Sequence, residues 1–221
     1  GNQSAYWHGV DVNVNARVRN GLVLQGGTST GRGVRDSCEI TAALPETLLV
    51  AGVWQQSASC KVIETWQTQV RGLAAYTIPK ADVQLSVSFQ FKPGTLGIGG
   101  NDSATNGQSL AANYNVPTAV AAQTLGRPLS GGAANQTVNV LVPGQLYGDR
   151  VNQVDFRVSK VLRVGGKRMQ VGFDLYNALN TDAVQTYNQT FGARWLTPLT
   201  VISARFAKIT CMGVIQIGFR A

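Results

Sequence analysis

Apolar and polar residues change places at almost every step along much of this chain. In 10–18, Val10, Val12, Val14, Ala16 and Val18 share one side, and Asp11, Asn13, Asn15 and Arg17 share the other. The stretch 83–91 alternates without a break, with Val83, Leu85, Val87, Phe89 and Phe91 against Gln84, Ser86, Ser88 and Gln90. A period of two marks a β-strand whose two faces meet different surroundings. The same reading makes strands of 21–31, 64–78, 154–164 and 165–180, and a seventh begins at 199–209. In 64–78, Trp66, Val70, Ala74, Tyr76 and Ile78 oppose Gln67, Gln69 and Arg71. In 154–164, Val154, Phe156, Val158, Leu162 and Val164 oppose Asp155, Arg157, Ser159 and Arg163. In 165–180, Met169, Val171, Phe173 and Leu175 alternate with Arg168, Gln170, Gly172, Asp174 and Tyr176.

The connections alternate short and long. Residues 19–21, 79–82 and 165–166 are tight, whereas 32–63, 92–150 and 180–197 are long. A soluble sandwich with its polar side outward explains the alternation, but not why every tight turn lies at one end. A transmembrane β-barrel does so, with short periplasmic turns and long extracellular loops. Hairpin parity agrees, because a slip of one residue would swap the faces of a strand. A Gly165-Gly166 turn sets Val158 against Phe173 and Arg157 against Asp174. A four-residue loop at 79–82 sets Ile78 against Val83 and Val70 against Phe91. A three-residue loop 19–21 with Gly21 left-handed matches the first pair of strands. The expected fold is therefore all-β, an antiparallel transmembrane barrel segment with its apolar face to lipid and its polar face to a lumen. Seven strands are odd for a closed bacterial barrel and leave edges unpaired in lipid, so residues 1–221 are expected to be the C-terminal part of a larger barrel. The start "GNQSAYWHGV", with neither Met nor signal peptide, suits a processed chain or a fragment.

Composition sharpens this picture. Charged residues make up only 14% of the 221 and hydrophobic ones 44%, with 25 glycines. No apolar run is long enough for a membrane-spanning helix. The net charge of +8 is scattered through alternating strands without an RNA-binding aromatic signature, so nucleic acid is not an expected partner. Arg17, Arg19, Lys80, Arg163, Lys167 and Arg168 gather at the short turns, where they suit phospholipid headgroups or simply keep the turns soluble. Lys160 falls on the apolar side, four residues from a turn, within snorkelling reach of water. Cys38 and Cys60 bracket the first long connection, which faces an oxidising exterior in this topology; they are expected to form a disulfide, leaving Cys211 free.

Little here suggests catalysis. His8 is the sole histidine and no Cys-x-x-Cys occurs, so no metal, cofactor or enzyme is expected; His8 reads as a neighbour of an aromatic girdle. Glycine-rich 97–107 reads as a flexible external loop rather than a phosphate cradle, and "GRGVRD" as a solvated shoulder rather than a basic ligand patch. The lumen-lining candidates are Asp11, Asn13, Asn15, Arg17, Gln67, Gln69, Arg71, Gln84, Ser86, Gln90, Asp155, Arg157, Arg168, Gln170 and Asp174. Most of these would hydrate the wall or touch a plug. Trp54, Tyr114, Tyr147, Tyr187 and Trp195 in the long loops offer stacking surfaces for a captured ligand.

The segments "LYGDRVNQVDFRVSK", "DLYNALN" and "WLTPLTVISARFAKI" resemble the C-terminal barrel of TonB-dependent outer-membrane receptors, above all large receptors of acidobacterial type with a carboxypeptidase-regulatory-like N-terminus. The resemblance covers nearly the whole chain. It implies an N-terminal plug, a TonB box and a barrel of about 22 strands, with the plug and box outside these residues. It also implies a periplasmic TonB-type energy-coupling partner and gated uptake of an unidentified substrate. The rival expectation is a surface protein for adhesion or for matrix or protein export on the same architecture. One departure stands out: "TCMGVIQIGFRA" follows "ARFAKI", and Ala204 and Phe206 differ in parity from Ile215, Ile217 and Phe219, so a bulge or irregular tail is expected between them.

Overall fold

A computed structural model describes residues 1–18, 21–50, 52–94, 109–164 and 167–214. Its centre is one antiparallel sheet in which chain neighbours pair in sequence order. The strands are β1 (Ser4–Val18), β2 (Leu22–Asp36), β3 (Gln67–Ile78), β4 (Val83–Lys92), β5 (Val151–Val164), β6 (Lys167–Tyr176) and β7 (Phe206–Val214). Lys61–Ile63 adds a short extra strand on β2. Among the described residues β1 and β7 do not pair with each other, so the sheet is open.

The three hairpin registers follow parity. Val18 faces Leu22 across a turn that contains Gly21 at φ +84°, a left-handed value that costs glycine nothing. Ile78 faces Val83, with Lys80 and Asp82 also at positive φ. Val158 faces Phe173 and Arg157 faces Asp174. The paired strand ends Val18–Leu22, Ile78–Val83 and Val164–Lys167 therefore lie at one end of the sheet. Arg19, the Gly165-Gly166 turn and the 97–107 loop lie outside the described residues.

Two rows of partners are apolar right across the sheet. Val18, Leu22, Tyr76, Leu85, Val158, Phe173 and Ile209 form one apolar row, and Ala16, Leu24, Ala74, Val87, Phe156, Leu175 and Ala207 the next. Their face is open: Val158 is 44% exposed, Phe173 46% and Ile209 77%. Residues between them point to the other side, where Ser159 and Asp174 are only 3% and 4% exposed. The burial is thus inverted with respect to a water-soluble sheet, with the polar face the more enclosed one in β5 and β6.

The start of the seventh strand differs from its sequence expectation. Pro198–Val201 belongs to a separate two-stranded sheet with Val184–Tyr187, and β7 begins only at Phe206. The residues between are held away from the main sheet: Ile202 N–H donates to Ala183 O, and Arg205 N–H to Asn180 Oδ1. The tail 215–221, with Ile215, Ile217 and Phe219, lies outside the described residues. Phe206 lies on the polar side opposite Tyr176, their rings stacked at 4.7 Å, and the register with β6 runs unbroken to Val214.

The long connections are folded rather than free. Leu49–Val50, Val53–Trp54, Asn135–Asn139 and Asn113–Pro117 form a four-stranded sheet drawn from two connections. Helices α1 (Cys38–Ala43) and α2 (Thr118–Leu125) flank it, and α2 stops at left-handed Gly126. The third connection joins this layer through Asn113 N–H to Gln189 O and Phe191 N–H to Asn113 O. The buried apolar residues Leu110, Ala112, Val151, Ala183 and Ile202 sit in this cap layer or where it meets the sheet. No helix among the described residues is long and apolar enough to cross a membrane.

Candidate functional site: the polar sheet face and its cap

The alternation that exposes the apolar rows gathers most of the polar candidates on the opposite side. Asn13, Gly27, Arg71, Gln90 and Gln153 stand side by side across β1 to β5. The next row holds Asn15, Gln25, Leu73, Ser88 and Asp155. These two rows line an open groove of ≈ 520 Å³. Gly27 is needed there, since a side chain would collide with the Asn13 carboxamide.

Hydrogen bonds orient the groove wall. Asp155 can only accept, so the Gln153 amide nitrogen donates to both carboxylate oxygens, at 3.0 Å each. That turns Gln153 Oε1 towards Gln90, whose Nε2 donates to it at 2.9 Å. Arg71 donates to Gln69 Oε1 at 2.7 Å. Towards the cap, Asp11 stands beside Ser29 and Gln69, while Gln67 lies opposite Gly31. Towards the tight turns, Arg17, Ser86, Arg157 and Asp174 share a row that ends at Lys208. Gln84 faces Ser159, which also accepts from Gln170 Nε2 at 3.1 Å. Arg168 faces Arg163, and Arg163 turns away to Asp82 at 3.1 Å.

The ion pair of this face is less wet than a lumen wall suggests. Arg157 Nη1 lies 3.3 Å from Asp174 Oδ1, with the two side chains 38% and 6% exposed. Thr210 Oγ1 donates to the other Asp174 oxygen at 3.2 Å. Asp174 thereby ties β5, β6 and β7 together.

Sequence reasoning missed Asn177, the centre of "DLYNALN". It is 2% exposed and at φ +49°, a conformation asparagine tolerates better than most residues. Its Nδ2 donates to Thr181 O and Ser203 O, its Oδ1 accepts from Thr181, and its own N–H donates to Asp155 at 2.8 Å. A single residue, through its side chain and its backbone N–H, thus fixes the end of β6, the groove carboxylate and the approach to β7. Trp7 was also missed. It shares parity with Asp11 and Asn13, is 43% exposed, and its indole occupies the space that side chains at Gly9 and Gly31 would take. Counting four residues back from Asp11, or six from Asn13, would have found it.

The cap aromatics have structural partners. Trp195 Nε1 donates to Ala111 O at 3.0 Å, and its ring lies 6.4 Å from Phe191, which meets Tyr114 edge-on. Tyr147 OH accepts from Thr65 N–H. Tyr187 OH accepts from Asp149 N–H at 3.2 Å, and burial pushes its phenol up from the ordinary tyrosine value. Trp54 is half-buried in the cap sheet opposite Leu49. Of the five, Tyr114 at 40% presents an exposed ring. Cys38 and Cys60 are joined as a disulfide that clips α1 to the turn Ser57–Cys60, reinforced by Ser37 N–H to Cys60 O; Cys211 is free and exposed. His8 packs edge-on against Tyr6 at 4.8 Å, and the described residues contain no cluster of potential metal ligands.

No family model matches the chain, and no curated protein or solved structure is significantly similar to it.

Proposed function

We propose that this chain forms part of an outer-membrane β-barrel of the TonB-dependent receptor type, with the apolar sheet face in lipid and the polar face along a passage for solute. The observation that carries this reading is the inverted burial of β5 and β6: Val158 and Phe173 are open while Ser159 and Asp174 are enclosed. Strand spacing and rise give the apolar face an area on the order of 1,000 Å². Soluble monomers rarely expose contiguous apolar patches beyond a few hundred Å². Hydrocarbon is the solvent that suits such a face, and the closed ladder it demands implies that further strands pair with the open edges of β1 and β7.

In this reading the folded cap stands on the outer side and the tight turns on the periplasmic side. A cap braced by the Cys38–Cys60 bridge and the Trp195–Ala111 hydrogen bond suits an oxidising exterior. Uptake would follow the family pattern of capture at the cap, rearrangement of a plug by a TonB-type periplasmic protein, and passage along the polar wall. The resemblance of "LYGDRVNQVDFRVSK" and "DLYNALN" supports the receptor assignment. The test is fractionation of the full-length protein. It should sediment with outer membranes, resist carbonate extraction and run on unheated gels as a compact species. Recovery in the soluble periplasm would overturn the proposal.

A further inference from the structure

Trp7 is the unassigned group with the most specific surroundings. It stands at the cap end of the polar face, where Gly9 and Gly31 leave their backbone bare. The indole fills the space over both glycines, so it lies along the sheet, and at 43% exposure it presents part of its surface to solvent. Ser29, Gln67 and Gln69 border the hollow beside it. From there the wall continues down β1, where six residues from Trp7 to Asn13 cover about 20 Å. Along that path stand five neutral amides, Gln67, Gln69, Asn13, Gln90 and Gln153, with Asp11 and Arg71 as charged groups among them.

We infer that this strip binds a neutral oligosaccharide, with a pyranose ring lying on Trp7 and the amides below taking its hydroxyls. The inference rests on the reading of the polar face as a solute passage and names the substrate class of that passage. The chemistry is complementary on both counts. A pyranose presents a flat C–H face that suits an aromatic surface, which is apolar on its body and electron-rich on its face. Its hydroxyls both donate and accept, as carboxamides do, whereas a guanidinium or carboxylate offers only one of the two. Gln69 is already set for this role: its carbonyl accepts from Arg71, leaving its amide N–H groups to donate to a ligand. The groove wall carries one charge of each sign, Arg71 and Asp155, which suits a neutral ligand better than a strongly charged one.

The test uses the full-length protein in detergent, titrated with maltohexaose, cellohexaose and mannohexaose by calorimetry. At least one should bind, and Trp7→Ala should weaken it about tenfold, with Trp7→Phe intermediate. Tyr76→Ala should bind as wild type, since Tyr76 stands in the apolar row on the opposite face of the sheet. If Trp7→Ala does not fold, Gln69→Leu tests the same wall and should also weaken binding about tenfold. Absence of binding by all three sugars, or unaltered affinity in folded Trp7→Ala, overturns the inference. Membrane location is read separately by fractionation, so a membrane protein blind to sugars refutes this step alone, and a sugar-binding soluble protein refutes the barrel reading.

Discussion

The seven-stranded sheet and the cap above it place their apolar residues by opposite rules. In the cap, Leu110, Ala112, Ala183 and Ile202 are hidden and the Arg127 guanidinium lies outside, although Leu125 and Phe191 are exposed. In the sheet, Val158 and Phe173 are outside while Ser159 and Asp174 are inside. In the outer-membrane barrel we propose, the two rules answer to two solvents. On the proposed reading, the difference sets a boundary between lipid and water near the cap ends of the strands. It lies where the enclosed Val151 begins β5 and Asn177 follows β6.

The comparison breaks most severely if a charge is placed on the wrong side of that boundary. Val158→Arg should destabilise the complete barrel in bilayers by about 2–4 kcal/mol, as expected for a lipid-facing cation near mid-strand. Leu125→Arg, at the equally exposed end of α2 in the cap, should change stability by less than about 0.5 kcal/mol. Folding titrations in vesicles measure both. Equal effects would erase the distinction between the regions.

Removal of the Cys38–Cys60 bridge by paired serine substitution should cost the cap about 3 kcal/mol in the chain-entropy model. The sheet should be untouched. Limited proteolysis should therefore show faster cleavage within 37–63 and unchanged protection of β3 to β6. Asn177→Ala acts at the boundary itself and leaves Thr181 and Ser203 backbone groups without a partner, costing about 1–3 kcal/mol. Hydrogen exchange should loosen the start of β7 together with the end of β6, and loosening of either alone would deny Asn177 its joining role. Asp174→Asn should be milder than either of these, about 1 kcal/mol, because half-exposed Arg157 can rehydrate and the amide keeps one hydrogen bond to Thr210. If it proved worse than Val158→Arg, the assignment of the faces would be reversed.

The sheet was legible in the sequence because a period of two, read over ten or more residues, leaves no freedom in which side chain goes where. Val158–Phe173 and Val70–Phe91 follow from counting alone. The cap was not legible. Leu49–Val50 and Val53–Trp54 are two residues each, too short for any period to show, and one of their partners lies about 80 residues away in the chain at Thr137 and Val138. The start of β7 misled for a related reason. "LTVI" looks like the beginning of a strand that continues through "SARFAKI", but hydrogen bonds at Ile202 and Arg205 turn the chain between two sheets. At the candidate site, parity found the groove residues, while Asn177 carried no pattern and became visible only through its partners. Aromatic residues in long loops suggested ligand capture, yet Trp195, Tyr147 and Tyr187 each have a backbone partner within the fold.

The most direct measurement places a nitroxide at Arg157 and then at Val158, each through a cysteine substitution in a Cys211→Ser background, in the full-length protein reconstituted into bilayers. Collision with dissolved oxygen, which concentrates in lipid, and with a water-soluble nickel chelate reports the surroundings of each position. The account predicts high oxygen and low nickel accessibility at 158, and the reverse at 157. Nickel accessibility at 158 equal to or above that at 157 would contradict it.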